Sequence, residues 1–153
     1  MAINFLTENI LHFVPKEGWT KDEEISFSLK FVELFYVYLL KSLNMQLSDE
    51  TDANFEKLLN TSPTEQQIID FYNKLFPNLG GEIEKRAVEF KKIFIFNLYV
   101  DKLNNLETMI ATSRAQNKDA TVYERALNNW EKILTTAKED RWEGVLELIS
   151  QLD

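Results

Sequence analysis

One imidazole, a short run of carboxylates and two adjacent glycines are the residues here that could carry chemistry. His12 is the only histidine. A Ser-His-Asp or Cys-His site needs an imidazole to pass the proton, and the one acidic neighbour of His12 at helical spacing is Glu8. The chain has no Cys, so thiolate nucleophiles, disulfides and sulfur-ligated zinc are excluded. A di-iron bundle in its usual form needs two Glu-x-x-His pairs. Asp49, Glu50 and Asp52 could gather a cation, yet they lack the Gly and the distal Glu of an EF-hand loop. A helix N-terminus accounts for these acids, because its dipole favours negative charge. Gly80-Gly81 has no flanking Lys and Ser or Thr, so it reads as a hinge or helix stop rather than a phosphate loop. Glu82, Glu84, Lys85, Arg86, Glu89, Lys91 and Lys92 read as a solvated, mixed-sign helix face. The expectation is a protein that is not an enzyme, with no catalytic residues, no cofactor and no metal.

The elements that would position any site are helical. Gly and Pro are scarce, at four and three residues, which favours long helices over short strands and turns. Residues 3–14 read as a short amphipathic helix ended by Pro15 and Gly18. Thr20 with Glu23 forms a capping box that opens a long helix to about Met45. Ser48 caps the next helix. Ser62-Pro63-Thr64-Glu65 reads as N-cap, first helical position and box, opening a helix that ends near Phe76 because Pro77 follows. Asn78 to Gly81 reads as a hinge. A second long helix runs from about Glu82 to Thr112, and Ser113 to Asp119 reads as a loop. Asp119 or Thr121 opens the sixth helix, with Glu124 placed for a box, and Asp140 caps the seventh.

A motif recurs in this series. Asn54-Phe55-Glu56-Lys57-Leu58-Leu59-Asn60-Thr61 returns as Asn129-Trp130-Glu131-Lys132-Ile133-Leu134-Thr135-Thr136. Each copy follows a long aromatic helix and precedes a second apolar run. The expected fold is therefore all-α: one compact bundle of about seven helices over 1–153, built from two pseudo-repeats of one long and two shorter helices, 20–78 and 79–153. Leu34 to Leu40 and most of Ile93 to Val100 are apolar all round, and such helices need covering on every face. The covering could be the chain's own helices, a homodimer or partner chain, or an apolar ligand. The long helices are expected side by side at the centre.

Hydrophobic residues make up 44% of 153, including eleven Phe, enough to bury a core and exclude global disorder. The formal net charge is −8, which on average repels phosphate backbones and anionic membranes. No run of about 20 apolar residues exists for a membrane span, and Met1 to Val14 lacks a positive n-region and cleavage site. A cytoplasmic protein is expected. Ser48-Asp49-Glu50, Phe55-Glu56-Lys57-Leu58-Leu59, the Phe71 segment and Phe76-Pro77-Asn78 together resemble a group of short acidic bacterial helical proteins. That group is labelled only as a domain of unknown function. The resemblance spans about residues 25–90 and implies a bacterial origin and an all-helical fold, with no activity or site residues to carry over.

Function is read from the absence of catalytic constellations and the surplus of apolar helix surface. The first reading is a non-catalytic interaction or scaffold protein that presents a helical surface to a protein partner. Its candidate contacts are Trp130, Trp142, Tyr123 and the region near 108–126. Its partner would be another protein or a second copy, with no direct nucleic acid. One alternative is an acidic decoy that blocks a nucleic-acid-binding protein. The other is a carrier of an apolar ligand between the long helices.

Overall fold

The computed structural model describes residues 3–45 and 47–152; Met1, Ala2, Gln46 and Asp153 lie outside the described residues. Among the described residues there are six α-helices and no strand. They are α1 (Lys21–Asn44), α2 (Asp49–Leu59), α3 (Glu65–Leu75), α4 (Leu79–Ala115), α5 (Thr121–Lys138) and α6 (Trp142–Ser150), preceded by a 3₁₀ turn, Ile10–Phe13. The all-α class holds, with six helices in place of the seven expected.

The missing helix is the N-terminal one, and its carbonyls explain why. Phe5 O and Leu6 O accept from Lys91 Nζ at 2.5 and 3.5 Å, and Glu8 O accepts from the same ammonium. Phe13 O accepts from Tyr99 Oη at 2.6 Å. Backbone oxygens that would run on into a helix are held by side chains from α4 instead.

Local capping decides the other boundaries. Thr20 and Glu23 form the expected reciprocal box: Thr20 N donates to Glu23 Oε2 at 2.6 Å and Glu23 N to Thr20 Oγ1 at 3.2 Å. Ser48 Oγ accepts from Thr51 N at 3.3 Å. The box of α3 is Thr64 with Gln67, not Ser62 with Glu65. Ser62 has φ of 52°, the left-handed stop that follows α2, whereas an N-cap needs extended backbone. The glycines expected as a hinge lie in the first turn of α4. A Cβ on Gly81 would run into the Asn78 side chain.

The chain forms two compact units, residues 1–28 with 91–153, and residues 29–90. Both boundaries fall inside α1 and α4, and the expected join at Asn78 to Gly81 falls inside the second unit. Leu34 to Leu40 belongs to the second unit and Ile93 to Val100 to the first, so each apolar run has its own core.

In the first unit, Ile95, Tyr99, Leu106 and Ile110 of α4 are buried with Trp130, Ile133, Leu134 and Ala137 of α5 and Trp142 and Val145 of α6. α5 packs on α6, and α6 packs on the 3₁₀ turn. A Cβ on Gly144 would stand 3.0 Å from Thr136 Cγ2, so glycine permits that close approach. In the second unit, Leu39, Leu43, Phe55, Tyr72 and Leu79 form the core, with Phe35, Ile68, Phe71, Phe76 and Ile83 packed against it. There α1 runs antiparallel to the start of α4: Ser42 lies by Arg86, while Phe31, Phe35 and Tyr38 stack on Phe90 at 5.4, 5.7 and 5.2 Å.

Candidate interaction surface

Two positions of the mixed-sign segment are buried rather than solvated. Arg86 and Lys91 are both 4% exposed. Arg86 Nε donates to Ser42 Oγ at 2.8 Å, and its Nη1 bonds the Glu82 carbonyl and carboxylate. Lys91 sits 4.9 Å from the Phe5 ring centroid and 5.3 Å from that of Phe13. Burial pushes its ammonium down to about 8, against a weaker upward pull from Glu8. The signal was in the helical period. Arg86 continues the stripe Leu79, Ile83, Phe90, and Lys91 continues Ile95, Tyr99. Both are structural clamps that tie α4 to neighbouring acceptors.

The groups with catalytic potential are spread over the surface. His12 Nδ1 pairs with Glu8 Oε1 at 2.6 Å on an exposed turn. Asp49 and Asp52 lie in the first turn of α2 as helix-start acids. Among the described residues no group of three or more His, Asp or Glu side chains is gathered to hold a metal ion. The cleft beside α5 and α6 is lined by Glu131, Lys132, Thr135, Thr136, Glu139 and Arg141. Its threonines donate to their own helix, Thr135 to Glu131 O and Thr136 to Lys132 O at 2.9 and 2.8 Å. No hydroxyl there is paired with a base.

The candidate partner contacts separate by burial. Trp130 and Trp142 are core residues. Trp130 stacks on Tyr99 at 5.4 Å; Trp142 contacts Phe5, Phe13 and Phe96, and its indole N–H donates to Asp140 Oδ1 at 2.7 Å. Contact through these rings required exposure, and packing removes it. Tyr123 is half-buried. The region near 108–126 is where α4 ends and α5 begins, around a left-handed stop at Asn117, φ 56°, with Lys118 N bonded to Ser113 O at 2.8 Å. Arg114 pairs with Glu124 at 2.5 Å across that turn, which diverts Glu124 from the expected box with Thr121. Exposed Met109 and Val122 are isolated apolar positions in this region.

The uncovered surface lies elsewhere, on α1 in the second unit. Leu29 is 63% exposed, Val32 46%, Tyr36 56%, Val37 50%, and Leu34 and Leu40 38% each. Leu29, Val32, Tyr36, Leu39 and Leu43 follow strict 3-4-3-4 spacing, so they share one stripe about 80° wide. The last two are buried against Phe55 and Tyr72. The first three are bare. The neighbouring face of α1 holds Phe31, Phe35 and Tyr38 on Phe90. The expectation that both apolar runs are covered on every face therefore fails within the chain: in the second run Ile93 and Val100 stay 50% and 42% exposed, and along Leu34 to Leu40 α4 covers one side, and α2 with α3 only the C-terminal end. Between Leu29 and Leu40 the charges on α1 are Lys30 and Glu33, both exposed and loosely paired at 3.7 Å.

Compared with family models, with curated proteins and with solved structures, the chain matches none of them. No helix among the described residues is long and apolar enough to cross a membrane.

Proposed function

We propose that this chain is a non-catalytic interaction or scaffold protein, working in the cytoplasm, that offers the bare face of α1 to a protein partner. The observation that carries it is the seam from Leu29 to Leu43. One half has the cover that its spacing demands, and the other half does not. Apolar patches of this kind on a folded chain mark interaction surfaces. The helix-in-groove mode reads such i, i+3, i+7 anchors from one helix face. The test is affinity capture from the native host with the wild-type chain and with Leu29→Glu/Tyr36→Glu. The expected outcome is a partner retained by the first and lost by the second, at unchanged helicity. Equal capture by both removes the reading.

The acidic-decoy reading has less support. Residues 29–90 carry 10 acidic and 6 basic side chains, the remainder 15 and 11, so each unit has a net charge of −4. The excess is shared, not gathered. We also carry the internal duplication as a proposal. Its support is that Phe55 and Trp130, at matching places in the recurring motif, are both buried helix anchors.

A further inference from the structure

We propose that the partner of the α1 face is a second copy of this chain, paired antiparallel about a two-fold axis that passes beside Val32. The proposal rests on the docking reading above and deepens it. Three features of the face point to self-pairing.

The first is the seam. Leu29, Val32 and Tyr36 continue, without a break in period, a stripe whose next members, Leu39 and Leu43, are buried in the core. A 3-4 seam fits another helix carrying the same seam, because its knobs and holes have the same repeat. With the axis beside Val32, the two Val32 side chains meet at the centre and Leu29 of each copy lies against Tyr36 of the other.

The second is charge. The margin of the stripe carries one Lys and one Glu, three residues apart. In an antiparallel pair about this axis the same margins face each other, so Lys30 of each copy comes near Glu33 of the other. A parallel two-fold pair would leave the two margins on opposite sides of the seam, out of reach of each other. The margin is thus complementary to itself in one orientation only. Its present ion pair is long and open to water, so exchanging partners gives up little.

The third is size. The exposed apolar side chains that share this face, Leu29, Val32, Tyr36 and Leu40, leave on the order of a few hundred Å² uncovered, below the roughly 800 Å² per partner of a standard interface. A face of this size gives a reversible dimer that forms at high concentration, not an obligate one.

Sedimentation equilibrium on the full chain from about 1 μM to about 1 mM is the test. The expected result is a monomer–dimer equilibrium that Val32→Glu weakens by about tenfold or more. Lys30→Glu alone weakens it as well, and Lys30→Glu combined with Glu33→Lys restores it. Circular dichroism distinguishes lost pairing from lost folding, and the charge variants sit at exposed positions that leave the core untouched. A chain that remains monomeric over the whole range overturns the proposal. So does a dimer indifferent to Val32→Glu, or one that the charge exchange fails to restore. A strict monomer whose α1 face still captures a host protein overturns self-pairing alone and leaves the docking reading standing. Loss of both would remove both.

Discussion

The stretch of α4 from Lys91 to Tyr99 and the stretch of α1 from Leu29 to Leu40 are similarly apolar and differ in what surrounds them. In the first, Ile95 and Tyr99 are fully buried and even a lysine is drawn in, and Ile93, at 50% exposure, is the one bare apolar position. In the second, only Leu39 is buried. The first unit surrounds its stretch with the N-terminal turn, α5 and α6. The second has α2 and α3 at one end of its stretch and the start of α4 along one side. Apolar composition therefore measures the demand for cover, and the number of neighbouring elements decides how much of it is met. The unmet part is the site.

Substitutions can break this comparison. The largest effect is expected from Ile95→Ala, at about 2–5 kcal/mol of lost stability through lost burial and a cavity. Val32→Ala, on the bare half of the α1 seam, should change monomer stability by less than about 0.5 kcal/mol. Urea melts of dilute protein check both, and equal losses would dissolve the distinction.

A smaller effect concerns the turn between α5 and α6. Asp140 holds φ of 62° and accepts from Lys92 Nζ at 2.8 Å and from Trp142 Nε1 at 2.7 Å. The Lys92 bond, then the Trp142 bond, holds its carboxyl below the usual carboxylate range. Asp140→Ala should cost about 1–2 kcal/mol from left-handed backbone alone. Asp140→Asn, which tolerates that backbone and keeps an acceptor for Trp142, should cost less. Thermal melts that rank Asn below Ala would contradict the role given to the turn.

The subtlest effect is a pH slope. Lys91 titrates near 8 in the folded chain against 10.5 when free. Between these values the unfolded chain holds more protons, so the Lys91 contribution makes stability rise with pH across that window. Tyr72, pushed up by burial to about 12, opposes the rise above its ordinary value of 10. The difference between wild type and Lys91→Met isolates the lysine, and parallel stability–pH curves from pH 8 to 10 would refute it.

Much of the helical framework was legible in the residues. Thr20 with Glu23, Ser48, and Pro77 after Phe76 each act locally, and each did what its type predicts. The failures arose where two local signals overlapped or a distant group intervened. Ser62-Pro63-Thr64-Glu65-Gln66-Gln67 contains two box templates two residues apart, and the stop of α2 took the first serine. Residues 3–14 have a helical apolar pattern, but Lys91 and Tyr99 claim their carbonyls from more than 80 positions away. The aromatic weight of Trp130 and Trp142 pointed to surface contacts, and packing put both inside. The seam on α1 could be read as apolar from its spacing. Which half of it would stay bare depended on where α2 and α3 fold back, and no single segment encodes that.

The chain has no native cysteine, so single thiols can report cover directly. Val32→Cys and Ile95→Cys should be compared in the native protein by their rates of alkylation. The account predicts that the thiol at 32 reacts close to the rate of a free thiol in dilute solution and slows as concentration rises, while the thiol at 95 stays protected throughout. A thiol at 32 as protected as the thiol at 95 in dilute protein would contradict it.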